Sequence, residues 1–259
     1  ELNYDVSDEA LADAGYPELE VRPVADWTVI AYYGGDNNLE PSLEVDFKEF
    51  EVGGGSDDSL NVVLFFDRSP GFSTDNGDWI GARVFEVVGD QTGEGMTNPP
   101  ILDSQPLADL GAVNSGDGRT FAQFLIWALK HYPARRYIIT FGSHGAGWEG
   151  VSRDDSAGED LISLPEMREA FRLGVEQAGV EKFDIVINDA CLMASIEYFD
   201  VMSDYFNYAL ASPEIVVDPA HDMSILLNAI RGNPDVPVTD YVDPLIDQYI
   251  DVDILRRPG

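Results

Sequence analysis

Short runs of β-branched and aromatic residues, each bounded by turn residues, recur along this chain and constrain its fold more than any other feature. Trp27–Tyr33, Leu60–Phe66, Tyr137–Phe141 and Phe183–Ile187 are apolar almost throughout, as strands are when both faces of their sheet are covered. Between them the period changes. Leu39, Leu43, Phe47 and Phe50 recur at helical spacing, as do Phe121, Phe124, Leu125 and Leu129 within Thr120–His131, a helix stopped by Pro133. A third helix starts near Ser163, where Glu166 completes a capping box, and a fourth runs from about Cys191 to about Tyr205. Ile80–Val88 alternates like a half-buried strand, and Tyr208–Ser212 reads as a last one. Strands alternating with helices predict an α/β fold with a mostly parallel sheet covered on both faces.

The remainder is punctuated differently. Residues 1–25 read as an acidic lead-in ending near Pro23, ahead of one domain spanning 26–259. Gly89–Asp117 and Gly142–Asp160 are rich in Gly, Asp, Asn or Pro and read as irregular connections. The chain opens on Glu1 with no basic segment leading into an apolar one, the mark of a trimmed form whose targeting segment is out of view. No run approaches the ~18 apolar residues of a membrane helix, so no membrane insertion is expected.

Charge excludes whole classes of partner. With 48 acidic and 15 basic side chains the net charge is −33, and only Lys48, Lys130 and Lys182 are lysines. Nucleic-acid binding rests on Lys and Arg neutralising phosphates, and anionic membrane surfaces attract the same residues, so neither is expected. Most of the acids read as solvated surface, and the scarcity of lysine suits a saline setting.

In open α/β sheets, sites form beyond the carboxyl ends of strands. His144 follows strand 137–141 in Phe141-Gly-Ser-His-Gly-Ala-Gly-Trp148, and Cys191 follows strand 183–187 in Asn188-Asp-Ala-Cys-Leu-Met193. One helix joins these strands, so they are expected to be neighbours with ends about 5 Å apart. A thiol and an imidazole on adjacent loops make a nucleophile and an acid. Cys191 is the single cysteine, which excludes an internal disulfide or a multi-thiolate metal site, and a helix N-terminus beside it would favour its thiolate. His131, at a helix end, and His221, in a Pro/Asp loop, are weaker candidates.

Two other patterns are weaker still. Gly145-Ala-Gly-Trp-Glu-Gly150 matches G-x-G-x-x-G, but a polar loop follows where a nucleotide fold needs a helix. Asp154, Asp155, Glu159 and Asp160 resemble a calcium loop, yet Ala157 stands where an EF-hand needs a ligand. An irregular Ca²⁺ site there remains an expectation.

The ordered segments Val29-Ile-Ala-Tyr-Tyr-Gly-Gly-Asp-Asn-Asn-Leu39, Gly111-Ala-Val-Asn-Ser-Gly-Asp117, Ser143-His-Gly-Ala-Gly-Trp148 and Asn188-Asp-Ala-Cys-Leu-Met-Ala-Ser195 resemble the clostripain family of caspase-like cysteine peptidases. The resemblance covers roughly 26–215. It implies a caspase-like α/β/α sandwich and cleavage of protein or peptide substrates after Arg or Lys. The family's nucleophile falls on Cys191 and its histidine on His144, with the N–H groups of Cys191 and Gly145 as oxyanion donors. No cofactor is needed for that chemistry, although Ca²⁺ activates some members. The acid that selects a basic side chain falls on Asp189, with Asp218 and Asp222 as further pocket candidates. Members often mature by self-cleavage at a basic residue after the histidine, which here implies Arg153. A secreted or periplasmic location follows by the same resemblance. The chain stops at Ile254-Leu-Arg-Arg-Pro-Gly259, shorter than the family's usual length, which implies a missing C-terminal part or a cut at a basic site. Two rivals stay open: a caspase-like peptidase of other P1 specificity, and a non-catalytic cation-binding module on the same fold.

Overall fold

The computed structural model describes residues 2–256, so the last three positions of the C-terminal expectation lie outside the described residues. In chain order the elements are α1 (Asp8–Asp13), β1 (Ala25–Gly35), α2 (Glu40–Val52), β2 (Leu60–Arg68), β3 (Gly81–Glu86), β4 (Pro106–Gly111), α3 (Gly118–His131), β5 (Ala134–Gly142), β6 (Val151–Asp154), β7 (Asp160–Ile162), α4 (Leu164–Ala178), β8 (Phe183–Asp189), α5 (Ile196–Ser203), β9 (Phe206–Leu210), α6 (Met223–Ile230) and α7 (Val238–Arg256). Seven strands form one sheet in the order β4-β3-β2-β1-β5-β8-β9. The run β2-β1-β5-β8-β9 is parallel, while β3 is antiparallel to both its neighbours. The fold is therefore the α/β sandwich that the strand and helix periods predict.

Alternation along each strand builds two cores. Ile30 and Tyr32 of β1 face the cluster holding Leu11, Phe121, Met167 and Tyr198, from α1, α3, α4 and α5. Val29, Ala31 and Tyr33 face the other cluster, with Leu43, Met223 and Tyr241 from α2, α6 and α7. Both sides of β1 are dry, which is why its sequence shows no polar alternation. The crossover through α2 lies on one face and that through α4 on the other. Chain connections therefore diverge between β1 and β5, where a crevice opens at the carboxyl ends of the strands.

Two sequence expectations change here, and the acidic lead-in packs on the domain: Tyr4, Leu11 and Tyr16 are buried in the first core, and Trp127 Nε1 donates to Pro17 O at 2.7 Å. Within the irregular 89–117 segment lies β4, an edge strand whose weak burial gives it no apolar signature. The Gly142–Asp160 connection includes the antiparallel hairpin β6–β7.

The expectation of a solvated acidic surface also fails on α2. Glu40, Glu44, Asp46, Glu49 and Glu51 are all buried there. Some are paired: Lys48 Nζ meets Glu51, Asp90 and Asp103 at 2.9–3.1 Å, and Arg68 meets Glu40 and Glu44. These ion pairs tie the long connections after β2 and β3 onto the helix. Among the described residues, Asp46 and Glu49 have no such partner, and Asp46 lines the crevice.

Candidate active site

In the parallel pair β5–β8, Gly142 stands opposite Asp189. His144 and Cys191 follow that pair by the same number of residues, so both emerge at one end of the sheet. The two exits touch. Ser143 N donates to Asp189 O at 3.3 Å, and a Cβ at position 145 would lie 2.3 Å from Cys191 O. Only glycine at 145 lets the loops approach this closely. His144 and Cys191 are both half-buried and border one cavity of about 200 Å³.

Cys191 does not sit at a helix N-terminus as expected. Helix α5 begins at Ile196 with Ser195 as its N-cap, and Cys191 occupies a turn before it, followed by Leu192 at φ 65°. The helix dipole fades within its first turn, so it is no aid to the thiolate.

The imidazole of His144 is oriented by a residue the sequence reading missed. Asn38 Oδ1 lies 2.8 Å from His144 Nε2. The tautomer satisfied by this contact donates Nε2–H to Asn38 and leaves Nδ1 with a free lone pair. Asn38 is held by its own loop: Asn37 Nδ2 donates to Gly34 O at 2.9 Å and to Arg153 O at 2.8 Å. Burial holds the His144 pKa below that of an ordinary histidine, the Arg153 charge adds to this, and Asp155 opposes it. The ring is thereby kept neutral near pH 7.

Gly145 pairs with Val151 in an isolated antiparallel bridge. The bonds of this bridge run from Ala146 N to Gly150 O and from Ser152 N to His144 O, at 2.9 and 3.0 Å. The N–H of Gly145 takes no part in them, so it points away from the hairpin. An outward-pointing N–H beside the turn of Cys191 suits a developing oxyanion.

The cavity combines apolar walls with acids. Leu39, Leu43, Val216 and Val217 line it, together with Asp46, Asp189 and Asp218. Asp189 is buried, and its carboxylate accepts from His221 N at 3.3 Å and lies 3.6 Å from His221 Nδ1. His221, distant in sequence, thus joins the site, stacked on Tyr249 at 5.3 Å. His131 does not: it is buried at the C-terminal end of α3, with Nδ1 3.0 Å from Trp127 O. Burial, then repulsion from Asp189 and its neighbours, raises the Asp46 pKa well above the carboxylate range. Glu49 is pushed up to about 9, by burial first and Asp222 next. The sequence hides Asp46 and Glu49 because each precedes a core phenylalanine on α2 and resembles a solvated helix position. Asn38 hides inside what reads as a turn.

The two remaining expectations are redrawn. Arg153 is not in an open loop; it lies in β6, half-buried, with its guanidinium on Asp155 at 2.7 Å and Glu159 at 2.8 Å. The suspected calcium loop is dispersed for the same reason. Asp155 and Glu159 serve Arg153, Asp160 accepts from Asn114 Nδ2 at 2.7 Å, and Asp154 turns inward towards Asp36 and Asp67.

Comparison with known proteins agrees with this geometry. A model described as the clostripain family matches residues 31–253. Clostripain of Hathewaya histolytica is 25% identical over 190 residues, which make up 66% of this chain and 34% of that protein. A secreted cysteine protease from Bacteroides thetaiotaomicron, solved with an irreversible peptide inhibitor, superposes with a TM-score of 0.69 at 22% identity, covering 88% of this chain and 59% of that one. An inactive zymogen protease from Parabacteroides distasonis gives a TM-score of 0.61 at 17% identity, covering 88% of this chain and 60% of that one. The chain thus spans about a third of the curated relative and under two thirds of the solved chains. The two solved structures share its fold. Among the described residues, no helix is long and apolar enough to cross a membrane.

Proposed function

The chain belongs to the clostripain family, and from that membership we propose that it is a cysteine endopeptidase cleaving after Arg or Lys, with Cys191 as nucleophile and His144 as acid and base. One observation carries this reading. Cys191 and His144 leave adjacent strands at the rim of a cavity whose other charged lining is carboxylate alone.

In the first half-reaction His144 Nδ1 takes the Cys191 thiol proton, the sulfur attacks the scissile carbonyl carbon, and the N–H groups of Gly145 and Cys191 receive the oxyanion. The C–N bond then breaks, and His144 delivers a proton to the leaving amine. Water, giving its proton to His144, attacks the resulting thioester and releases the new carboxyl end and the thiol. Asn38 positions the imidazole through both halves.

For specificity, the apolar walls suit the methylene stem of a basic side chain, and the acids suit its head. Asp189 is partly satisfied by His221, so Asp46 and Asp218 are left to meet the guanidinium or ammonium. Entry of a cation also relieves the mutual repulsion of these carboxylates.

Self-processing after Arg153 is part of the proposal, and it requires the β6–β7 hairpin to open first. The Parabacteroides relative is described as an inactive zymogen, and an uncut form of this chain would behave in the same way. The Bacteroides relative is described as secreted, and the same location is proposed here.

Fluorogenic peptides with Arg, Lys or Asp at P1 test the reading. Hydrolysis of the first two, abolished by Cys191→Ala and by His144→Ala, is the expected result. Full activity in His144→Ala, or preference for Asp, would overturn it. On a gel, the active wild type should divide at Arg153 while Cys191→Ala stays one band.

A further inference from the structure

Behind the wall of the crevice His221 is only 5% exposed, and among the described residues its buried Nδ1 makes no hydrogen bond. Buried polar atoms of native chains are rarely left so. The His221 N–H donates to Asp189 Oδ2 at 3.3 Å, while Nδ1 stands 3.6 Å from Oδ1. A charge-assisted hydrogen bond is about 2.8 Å long, so the ring stops within about 1 Å of one. Tyr249 of α7 holds it from the other side, stacked at 5.3 Å. The Tyr249 hydroxyl accepts from Val217 N at 3.4 Å, which ties the strap between β9 and α6 to that helix.

The charges gathered here have one sign. Asp189 comes from β8, Asp46 and Glu49 from α2, and Asp218 and Asp222 from the strap itself. From α7 come the Tyr249 ring and the Gln248 amide, whose Oε1 accepts from Asp222 N at 3.2 Å. Tyr33 of β1 reaches the same acids, and burial raises its pKa well above the phenolic range, so it stays uncharged. Among the described residues, His221 is the one base within ion-pair distance of any of these five carboxylates.

We propose that His221 sets the affinity of this pocket for a basic side chain by acting through Asp189: neutral, it leaves the carboxylate to the P1 cation, and protonated, it takes that carboxylate as its own counter-ion. Histidine is the side chain whose charge ordinarily changes between pH 5 and 8. His221 borders no part of the cavity, so it is a positioning residue and not a catalytic one. A P1 guanidinium and the His221 proton compete for one carboxylate, and each weakens the other by the same factor. As the cation enters, the imidazolium gives its proton to solvent. Acid therefore raises KM, while His144, kept neutral by burial, goes on turning over what is bound. The inference rests on the reading of the cavity as a pocket for basic side chains.

The test uses full-length Cys191→Ala protein, which binds without cutting, and Nα-acetyl-arginine amide, whose guanidinium stays charged throughout. In this parent the calorimetric Kd should be about tenfold weaker at about pH 5.5 than at about pH 8. Asp46 and Glu49, whose pKa values are raised by burial and by neighbouring carboxylates, also shed protons when a cation enters, so the share of His221 is read by difference. In His221→Gln, and independently in His221→Phe, which keeps a ring on Tyr249, the ratio should fall to about threefold or less. The factor removed corresponds to a shift of about 0.5 pH unit or more. Saturating probe should lower the titration midpoint of the His221 imidazole by that amount in the parent, read by NMR with three histidines to assign. A probe that fails to bind at pH ~8 overturns the basic pocket and this inference with it. A probe that binds there, but leaves the His221 midpoint unmoved or keeps the parent's ratio in both variants, overturns the role of His221 and leaves the pocket standing.

Discussion

Asn38 Oδ1 accepts the Nε2–H of His144 at 2.8 Å across the mouth of the crevice. This contact ties the first strand–helix loop of the sheet to the histidine loop, and it sets which ring nitrogen is free for proton transfer. Asn38→Ala should therefore lower kcat by roughly 10-fold or more, short of the ~10²–10⁴ carried by the acid–base group itself, while KM changes little. Wild-type activity should persist below pH 6.5, because burial lowers the His144 pKa. Asn38→Asp places a carboxylate on Nε2–H, favours the imidazolium, and should move the acid limb of the kcat/KM profile to higher pH. Identical profiles for wild type and Asn38→Asp would remove Asn38 from its positioning role.

Asp46 lies at the cavity wall, and among the described residues it has no cationic partner. A charged hydrogen bond of this kind is worth about 1.5–3 kcal/mol, so Asp46→Asn should raise KM for Arg and Lys peptides by roughly 10- to 100-fold. The rate of thiol alkylation at Cys191 should stay within about twofold, since the chemistry is set elsewhere. Unchanged KM would leave the grip on the basic head to Asp189 and Asp218.

Glu49 couples folding to pH in an unusual direction. Its carboxyl titrates near 4.5 when unfolded and near 9 when folded. Between these values the folded state keeps a proton that the unfolded state lacks, so this group's contribution to stability is full below pH 4.5 and is lost as pH rises towards 9. Glu49→Gln keeps an acceptor for Met223 N, which Glu49 meets at 3.0 Å. The variant should melt with the wild type near pH 4.5 and above it by several degrees at pH 8. A difference in melting temperature that does not grow with pH would contradict this.

Salt should act on folding and on catalysis with opposite signs. A net charge of −33 makes the folded chain repel itself, and the Debye length falls from ~10 Å at 0.1 M salt to ~3 Å at 1 M. The melting temperature should rise in molar NaCl. Over the same range kcat/KM for a basic peptide should fall, as long-range attraction of the substrate is screened. A melting temperature indifferent to salt would show that the surface charges are too well separated to matter.

What the sequence made legible follows from periodicity. Covered strands such as β1, β2, β5 and β8 announce themselves as apolar runs, and the exits of β5 and β8 lead straight to His144 and Cys191. The capping box of Ser163 and Glu166 is present as read. Features that depend on a partner distant in sequence were hidden. β4 is recognised only by its pairing with β3, and its own residues are mostly half-exposed. Asp36 and Asp67 read as turn residues until the sheet brings their strand ends together, and His221 gains meaning only from Asp189. The acids of α2 mislead most, since helical spacing marks apolar stripes and is silent about charge drawn inward by Lys48 and Arg68.

The pairing of Gly142 with Asp189 makes the sheet a measuring device. The residues that bear the thiol and the imidazole leave neighbouring hydrogen-bonded strands with equal overhangs on each side. The tip of the β6–β7 hairpin, by contrast, can drift or lengthen without altering that gauge. A one-residue deletion between Gly142 and His144 would break it at once, whatever the loops retained.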